Sequence, residues 1–179
     1  MRYLTILLSS YYLLIACETP SSTEHLTMTD RAQQLVNQAI EQHGGDAYDN
    51  LTLHYTFRKK AYTLHNQDGQ YTYTRSFEEE GKQIVDQLTA DNFQRTINGE
   101  TVTLSDSLSQ LYSNSVNSVH YFVQLPYRLN DPAVTKKYIG ETVIKGKQHE
   151  VVEVTFAEEG GGDDFDDQYY YWLDAETHQ

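Results

Sequence analysis

Gly160-Gly-Gly-Asp-Asp-Phe-Asp-Asp167 places four carboxylates, Asp163, Asp164, Asp166 and Asp167, on a glycine-rich backbone. Calcium takes several carboxylate oxygens on a flexible chain, so this is the best candidate cation site in the sequence. The loop lacks both the EF-hand spacing and its closing Glu. It therefore reads as a solvated hairpin loop, with calcium as the alternative and no metal assigned. Nucleophilic catalysis has weaker support still. No Gly-x-Ser-x-Gly elbow occurs, and such a turn is what exposes a catalytic serine. His25, His43, His54, His65, His120, His149 and His178 are scattered singly, without zinc spacing. Each is expected on a surface or a strand. Lys59, Lys60, Lys136, Lys137, Lys145 and Lys147 fall near turns or strand ends, as solvated charges do. No catalytic residue and no cofactor is expected.

Binding is better represented. Tyr71, Tyr73, Arg75 and Phe77 alternate along one stretch and so share a face. A guanidinium on an aromatic face is costly if buried alone. Arg75 is then either one half of a structural ion pair or the anchor for a ligand carboxylate or phosphate. Tyr55 and Phe57 lie on one face of the preceding strand. Tyr169 and Tyr171, or Tyr170 and Trp172, line one face of the last. With Phe122 these side chains suit either a concave ligand-binding wall or plain core packing. The expected lining is Tyr55, Phe57, Tyr71, Tyr73, Arg75, Phe77, Phe122 and Trp172.

Cys17 carries the clearest covalent chemistry. Arg2 precedes an apolar run that ends in Leu14-Ile15-Ala16-Cys17. That is a charged start, a short hydrophobic core and a small residue before the cut, as in a secretory signal. The run is too short for the ~20 residues of a membrane span. Its end has the pattern of a bacterial lipobox, in which the Cys thiol takes diacylglycerol after cleavage. Residues 1–16 are then a signal peptide, and residues 17–28 a lipidated Cys with a flexible tether. Residues 29–179 form one domain. Removing the signal takes Arg2 alone among charged residues and moves the net charge from −13 to −14. So acidic a chain repels nucleic acid and anionic headgroups. Its membrane contact must come from acyl chains, at ~0.8 kcal/mol per buried methylene.

The elements that position these groups follow from periodicity. Ala32, Leu35, Val36, Ala39 and Ile40 recur on one helical face over 29–43. Thr29 or Asp30 is placed to cap that helix, and Gly44-Gly45 to stop it. Strands are expected at 51–57, 70–77, 83–88, 93–97 and 101–104, with Asp68-Gly69 and Asn98-Gly99 as hairpin turns. Ser105-Asp106 opens a helical insertion over 106–124, closed by Pro126 and Asp131-Pro132. Further strands are expected at 134–144, 150–156 and 168–173. The chain reads as mainly antiparallel β with helices (α+β). The expected form is an open, strongly curved half-barrel sheet covered by the N-terminal and central helices.

These features together resemble an uncharacterised lipoprotein family of Bacteroidetes-type bacteria, a domain of unknown function. The matching pieces are Asn117 to Val134, His43-Gly44-Gly45, Tyr73-Thr-Arg75, and Gly160-Gly-Gly162 leading into Tyr169 to Asp174. More distantly, the layout is similar to the lipoprotein-carrier fold of the Lol system, an unclosed barrel that holds acyl chains. The resemblance implies C-terminal strands beyond Gln179. The expected function is a non-enzymatic cell-envelope lipoprotein, anchored to the outer membrane and facing the periplasm or cell surface. Its partners are a membrane through the anchor and a lipid, acyl chain or acylated protein in the concave sheet. The alternative is a protein-interaction module that uses an open sheet edge and a Tyr-rich face.

Overall fold

The computed structural model describes residues 27–162 and 165–179. Residues 1–26, which hold the expected signal peptide, Cys17 and most of the expected tether, lie outside the described residues, as do Asp163 and Asp164. Helix α1 (Met28–Gln42) starts earlier than its apolar periodicity alone indicates. Thr27, rather than Thr29 or Asp30, is its N-cap: Asp30 N donates to Thr27 Oγ1, and Thr27 N donates to the Asp30 carboxylate. This reciprocal pair satisfies two backbone donors left over at the helix start. Thr27 and Met28 thus belong to the domain rather than to a tether. At the other end Gly44 and Gly45 take φ of 131° and 51°, and a 3-10 turn follows at Gly45–Asn50.

Among the described residues nine strands follow, all antiparallel to their neighbours, as the short turns require, in sheets that do not close into a barrel. They are β1 (Leu51–Phe57), β2 (Lys60–Gln67), β3 (Gln70–Glu79), β4 (Lys82–Thr89), β5 (Phe93–Ile97) and β6 (Glu100–Thr101). After α2 (Asp106–Val123) come β7 (Val134–Ile144), β8 (Lys147–Phe156) and β9 (Tyr169–Asp174). Four turns, at Asp68-Gly69, Glu80-Gly81, Asn98-Gly99 and Lys145-Gly146, hold both central residues at positive φ. That twist matches the strands it joins. Strand β2 has no counterpart in the expected strands. Its leading turn is Arg58-Lys59, at φ of 48° and 65° without a glycine, so no turn-forming residue marks it.

The strands do not form one sheet. β1 to β6 make a six-stranded meander, and β7 to β9 make a separate three-stranded one. Each sheet has its own helix and core, where a single sheet had been expected to carry both helices. Ala32, Leu35, Val36 and Ala39 of α1 pack on Leu129, Val152, Val154 and Leu173. Arg31 of α1 pairs with Glu150, the acid on that buried face. Helix α2 lies on the larger sheet, where Val116 meets Leu64 and Tyr73.

Candidate functional site

Register brings two rows of side chains across the larger sheet under α2. One row is apolar: Leu53, Leu64, Tyr73, Leu88 and Phe93 stand opposite one another on successive strands. The next is Tyr55, Tyr62, Arg75, Asp86 and Arg95. It therefore contains an alternating cation–anion–cation rung, the favourable arrangement for cross-strand charges. Asp86 is fully buried. Arg75 donates to its Oδ2 from Nε at 2.9 Å and from Nη2 at 2.6 Å. Arg95 donates to Oδ1 at 2.6 Å and to Oδ2 at 2.9 Å.

Helix α2 closes over this row at four-residue spacing. The Tyr112 ring lies 3.5 Å from the Arg95 guanidinium carbon, and Ser115 Oγ accepts from Arg75 at 2.8 Å. Val116 fills the apolar row. His120, fully buried, stacks on Tyr73 and shares a 2.8 Å hydrogen bond between Nδ1 and the Tyr55 hydroxyl. Gln124 donates to the Tyr73 hydroxyl at 2.9 Å. Burial, with Arg75 nearby, pushes the His120 imidazole down to about 4; the Thr74 backbone opposes that shift only in part. The imidazole is therefore neutral at neutral pH. The same burial raises the Tyr55 hydroxyl well above the usual phenol range. This is an interlocked seam of buried side chains. His120 is neither a surface nor a strand residue, contrary to the expectation for all seven histidines. The signal was the spacing Tyr112, Val116, His120, Gln124 on one helical face.

The other side of α2 faces the smaller sheet, and there the packing is open. Asn117, Ser118, Tyr121 and Phe122 form one wall of a cleft. The smaller sheet contributes Phe156, Tyr169 and Tyr171, and Arg128, Asp131 and Gly160–Gly162 also line the cleft. Its volume is about 140 Å³. Arg128 pairs with Asp131 at 2.8 Å and lies 5.6 Å from the Tyr121 ring centre. Burial raises both the Asp131 carboxyl and, far more, the Tyr121 hydroxyl. Gly161 is fixed by contact. A Cβ there would stand 2.2 Å from the Ala157 carbonyl oxygen and 2.8 Å from Phe165 Cβ.

The eight expected lining residues do not converge on one cavity. Phe122 alone among them reaches the cleft between the sheets, where it is 55% exposed. Tyr71 and Tyr73 stack on each other and border a smaller hollow of about 90 Å³ beside Tyr48 and Tyr127. Tyr55 and Arg75 are locked in the seam, so Arg75 is the ion-pair partner rather than the ligand anchor. Phe57 is exposed beside Arg58, and Phe77 carries the Lys60 ammonium 4.0 Å from its ring centre. Trp172 is 51% exposed on the outer face of the smaller sheet with Tyr170. The physical reason is the split into two sheets, which points Tyr169 and Tyr171 inward and turns Tyr170 and Trp172 outward. Of the acidic loop, Asp166 and Asp167 are exposed, and Asp167 accepts from the Tyr169 hydroxyl at 2.9 Å. No group of three His, Cys, Asp or Glu placed to hold a metal occurs among the described residues.

Residues 10–179 match a family of unknown function, DUF6503. No curated protein matches the chain.

Proposed function

We propose that this chain, which belongs to the DUF6503 family, is a non-enzymatic, lipid-anchored envelope protein that binds a compact hydrophobic ligand between α2 and the smaller sheet. The observation that carries the reading is the aromatic cleft itself. Close-packed interiors leave few voids larger than a water molecule, whereas Tyr121, Phe122, Phe156, Tyr169 and Tyr171 surround about 140 Å³. Size decides the ligand class. Sites for drug-sized molecules run to roughly 300–1,000 Å³, and an apolar cavity of about 150 Å³ accommodates benzene. The cleft therefore suits one ring or a short branched acyl group, with the remainder of a longer chain outside. The lipid anchor is supported by Leu14-Ile15-Ala16-Cys17. It would hold the domain within a tether's reach of a membrane.

Titration of ¹⁵N-labelled protein with benzyl alcohol tests the cleft. Saturable shifts of the Gly161 and Gly162 amides, with the Leu64 and Val85 amides of the larger sheet unmoved, are expected. Shifts spread over the surface without saturation would overturn the reading. A second reading, recruitment of another envelope protein, is favoured by one observation: Tyr170 and Trp172 are exposed together on β9, an edge strand of the smaller sheet among the described residues. Loss of a co-purifying protein in a Tyr170→Ser/Trp172→Ser variant, with benzyl alcohol binding unchanged, would support that reading.

A further inference from the structure

The arginines of the buried region differ in how fully they are committed. Arg75 bonds through Nε, Nη1 and Nη2, to Asp86 and Ser115. Arg95 bonds twice to Asp86 and lies against the Tyr112 ring. Arg128 makes a single ion pair, Nη2 to Asp131. Its Nε–H is buried without a hydrogen-bond partner among the described residues. A guanidinium has five N–H donors in a planar fork suited to two oxygens at once. Arg128 thus brings an unpaired Nε–H to the lining of the cleft, and its side chain remains 23% exposed.

The local charge points the same way. Asp131 also lines the cleft, and its carboxylate would repel an incoming anion. It is opposed by two cations, Arg128 and Lys136; the second lies close enough to favour the ionised carboxylate. Lys136 Nζ donates to the Leu129 carbonyl at 2.7 Å and to Asn130 at 3.3 Å. The three side chains therefore carry one net positive charge, on a chain whose net charge is −13. Tyr121, Phe122, Phe156, Tyr169 and Tyr171 give the same cleft an aromatic surface, beside Asn117 and Ser118. One charged end and one apolar body together describe an amphiphile with an acidic head.

We propose that the ligand of this cleft is a compact carboxylic acid, its carboxylate paired with Arg128 and its aromatic or branched body packed between Tyr121, Phe156 and Tyr171. The inference rests on the cleft reading above and adds the head group. Arg128 is a binding residue in this account, and Asp131 a positioning residue that holds the guanidinium beside the cleft. The pairing has an energetic basis, since hydrogen bonds to charged groups are the stronger class and an unpaired buried donor is costly.

Calorimetry with two probes of the same body tests it: phenylacetate, and benzyl alcohol as its uncharged counterpart. Wild-type protein should bind phenylacetate at least tenfold tighter, and the advantage should shrink as salt rises from 50 to 500 mM, because salt screens the pair. Arg128→Gln should remove the advantage while leaving benzyl alcohol binding in place, and Arg128→Lys should restore part of it. Equal affinity for the two probes in wild-type protein, or a preference that survives Arg128→Gln, would overturn the carboxylate assignment and leave the cleft standing. If neither probe binds, the cleft reading fails and this inference with it. Should Arg128→Gln not fold, the wild-type probe ratio and its salt dependence decide the question alone.

Discussion

Replacing Asp86 by Asn should destabilise the protein by about 3–5 kcal/mol, the range for removing one partner of a buried ion pair. Asn has nearly the volume of Asp, so packing loss is small and the change isolates the charge. Asp86 accepts four hydrogen bonds of 2.6–2.9 Å from two guanidiniums whose side chains are 5% and 10% exposed. Neither guanidinium can shed its proton, so both charges stay buried without a counter-ion. The structure adds a second consequence. Arg75 also holds Ser115, and Arg95 holds Tyr112, so α2 loses its grip over its first half. Urea unfolding followed by circular dichroism is the assay. With a slope of about 2 kcal/mol per molar urea, the midpoint should fall by roughly 2 M, and amides of 106–116 should exchange faster than those of α1. Replacing the triad together, as Arg75→Met/Asp86→Leu/Arg95→Met, should recover most of the loss, because apolar substitutes avoid desolvating charge. A midpoint within about 0.5 M of wild type for Asp86→Asn, near 1 kcal/mol on the same slope, would refute the reasoning.

Acid should act through His120. Its imidazole is held near 4 when folded and titrates near 6.5 unfolded, so protons favour the unfolded chain. The stability this contributes is complete above pH 6.5 and is lost as pH falls toward 4. It amounts to roughly 3 kcal/mol, and urea midpoints at pH 7 and 4.5 should reveal a loss that His120→Gln removes. Asp174, lowered to about 2 by backbone N–H groups of Thr177 and Glu176, acts in a separate window, with loss between about pH 4 and 2. Gly161→Ala should displace the glycine loop that lines the cleft, given the 2.2 Å approach to Ala157 O. It should weaken benzyl alcohol binding at least fivefold and lower the urea midpoint, because the opposing atom is backbone. Trp172→Ala should cost less than about 1 kcal/mol by denaturant titration, since the ring lies half in water and core truncations alone reach ~3–5 kcal/mol. Cys17→Ser should abolish acylation of the mature protein, read by mass spectrometry.

Much of this architecture was legible because local signals and tertiary contacts agree. The α1 stripe Ala32, Leu35, Val36, Ala39 is the face that is buried. The Asp68-Gly69 and Asn98-Gly99 turns fall where type I′ geometry requires them. The alternation Tyr71, Tyr73, Arg75, Phe77 does share a face. What the sequence hid was non-local. No residue pattern says that β6 and β7 part company into two sheets, and that split decides which of Tyr169/Tyr171 and Tyr170/Trp172 points inward. The apolar residues of α2 misled in the same way. Leu108, Leu111, Phe122 and Val123 are exposed, while the buried stripe uses His120 and Gln124, whose polar atoms meet Tyr55, Asn66 and Tyr73 on β1, β2 and β3. Arg128 follows the cis Leu125–Pro126 bond and sits inside the 3-10 turn Tyr127–Asn130, an irregular stretch in which periodicity assigns no face.

The account stands or falls on where a compact apolar acid goes. Intermolecular nuclear Overhauser effects between bound phenylacetate and the protein measure this directly. The prediction is contacts from the ring to Phe156, Tyr171 and Tyr121, with the Arg128 Nε–H shifted on saturation. Contacts to Tyr170 and Trp172 on the outer face, or none at any concentration, would contradict it.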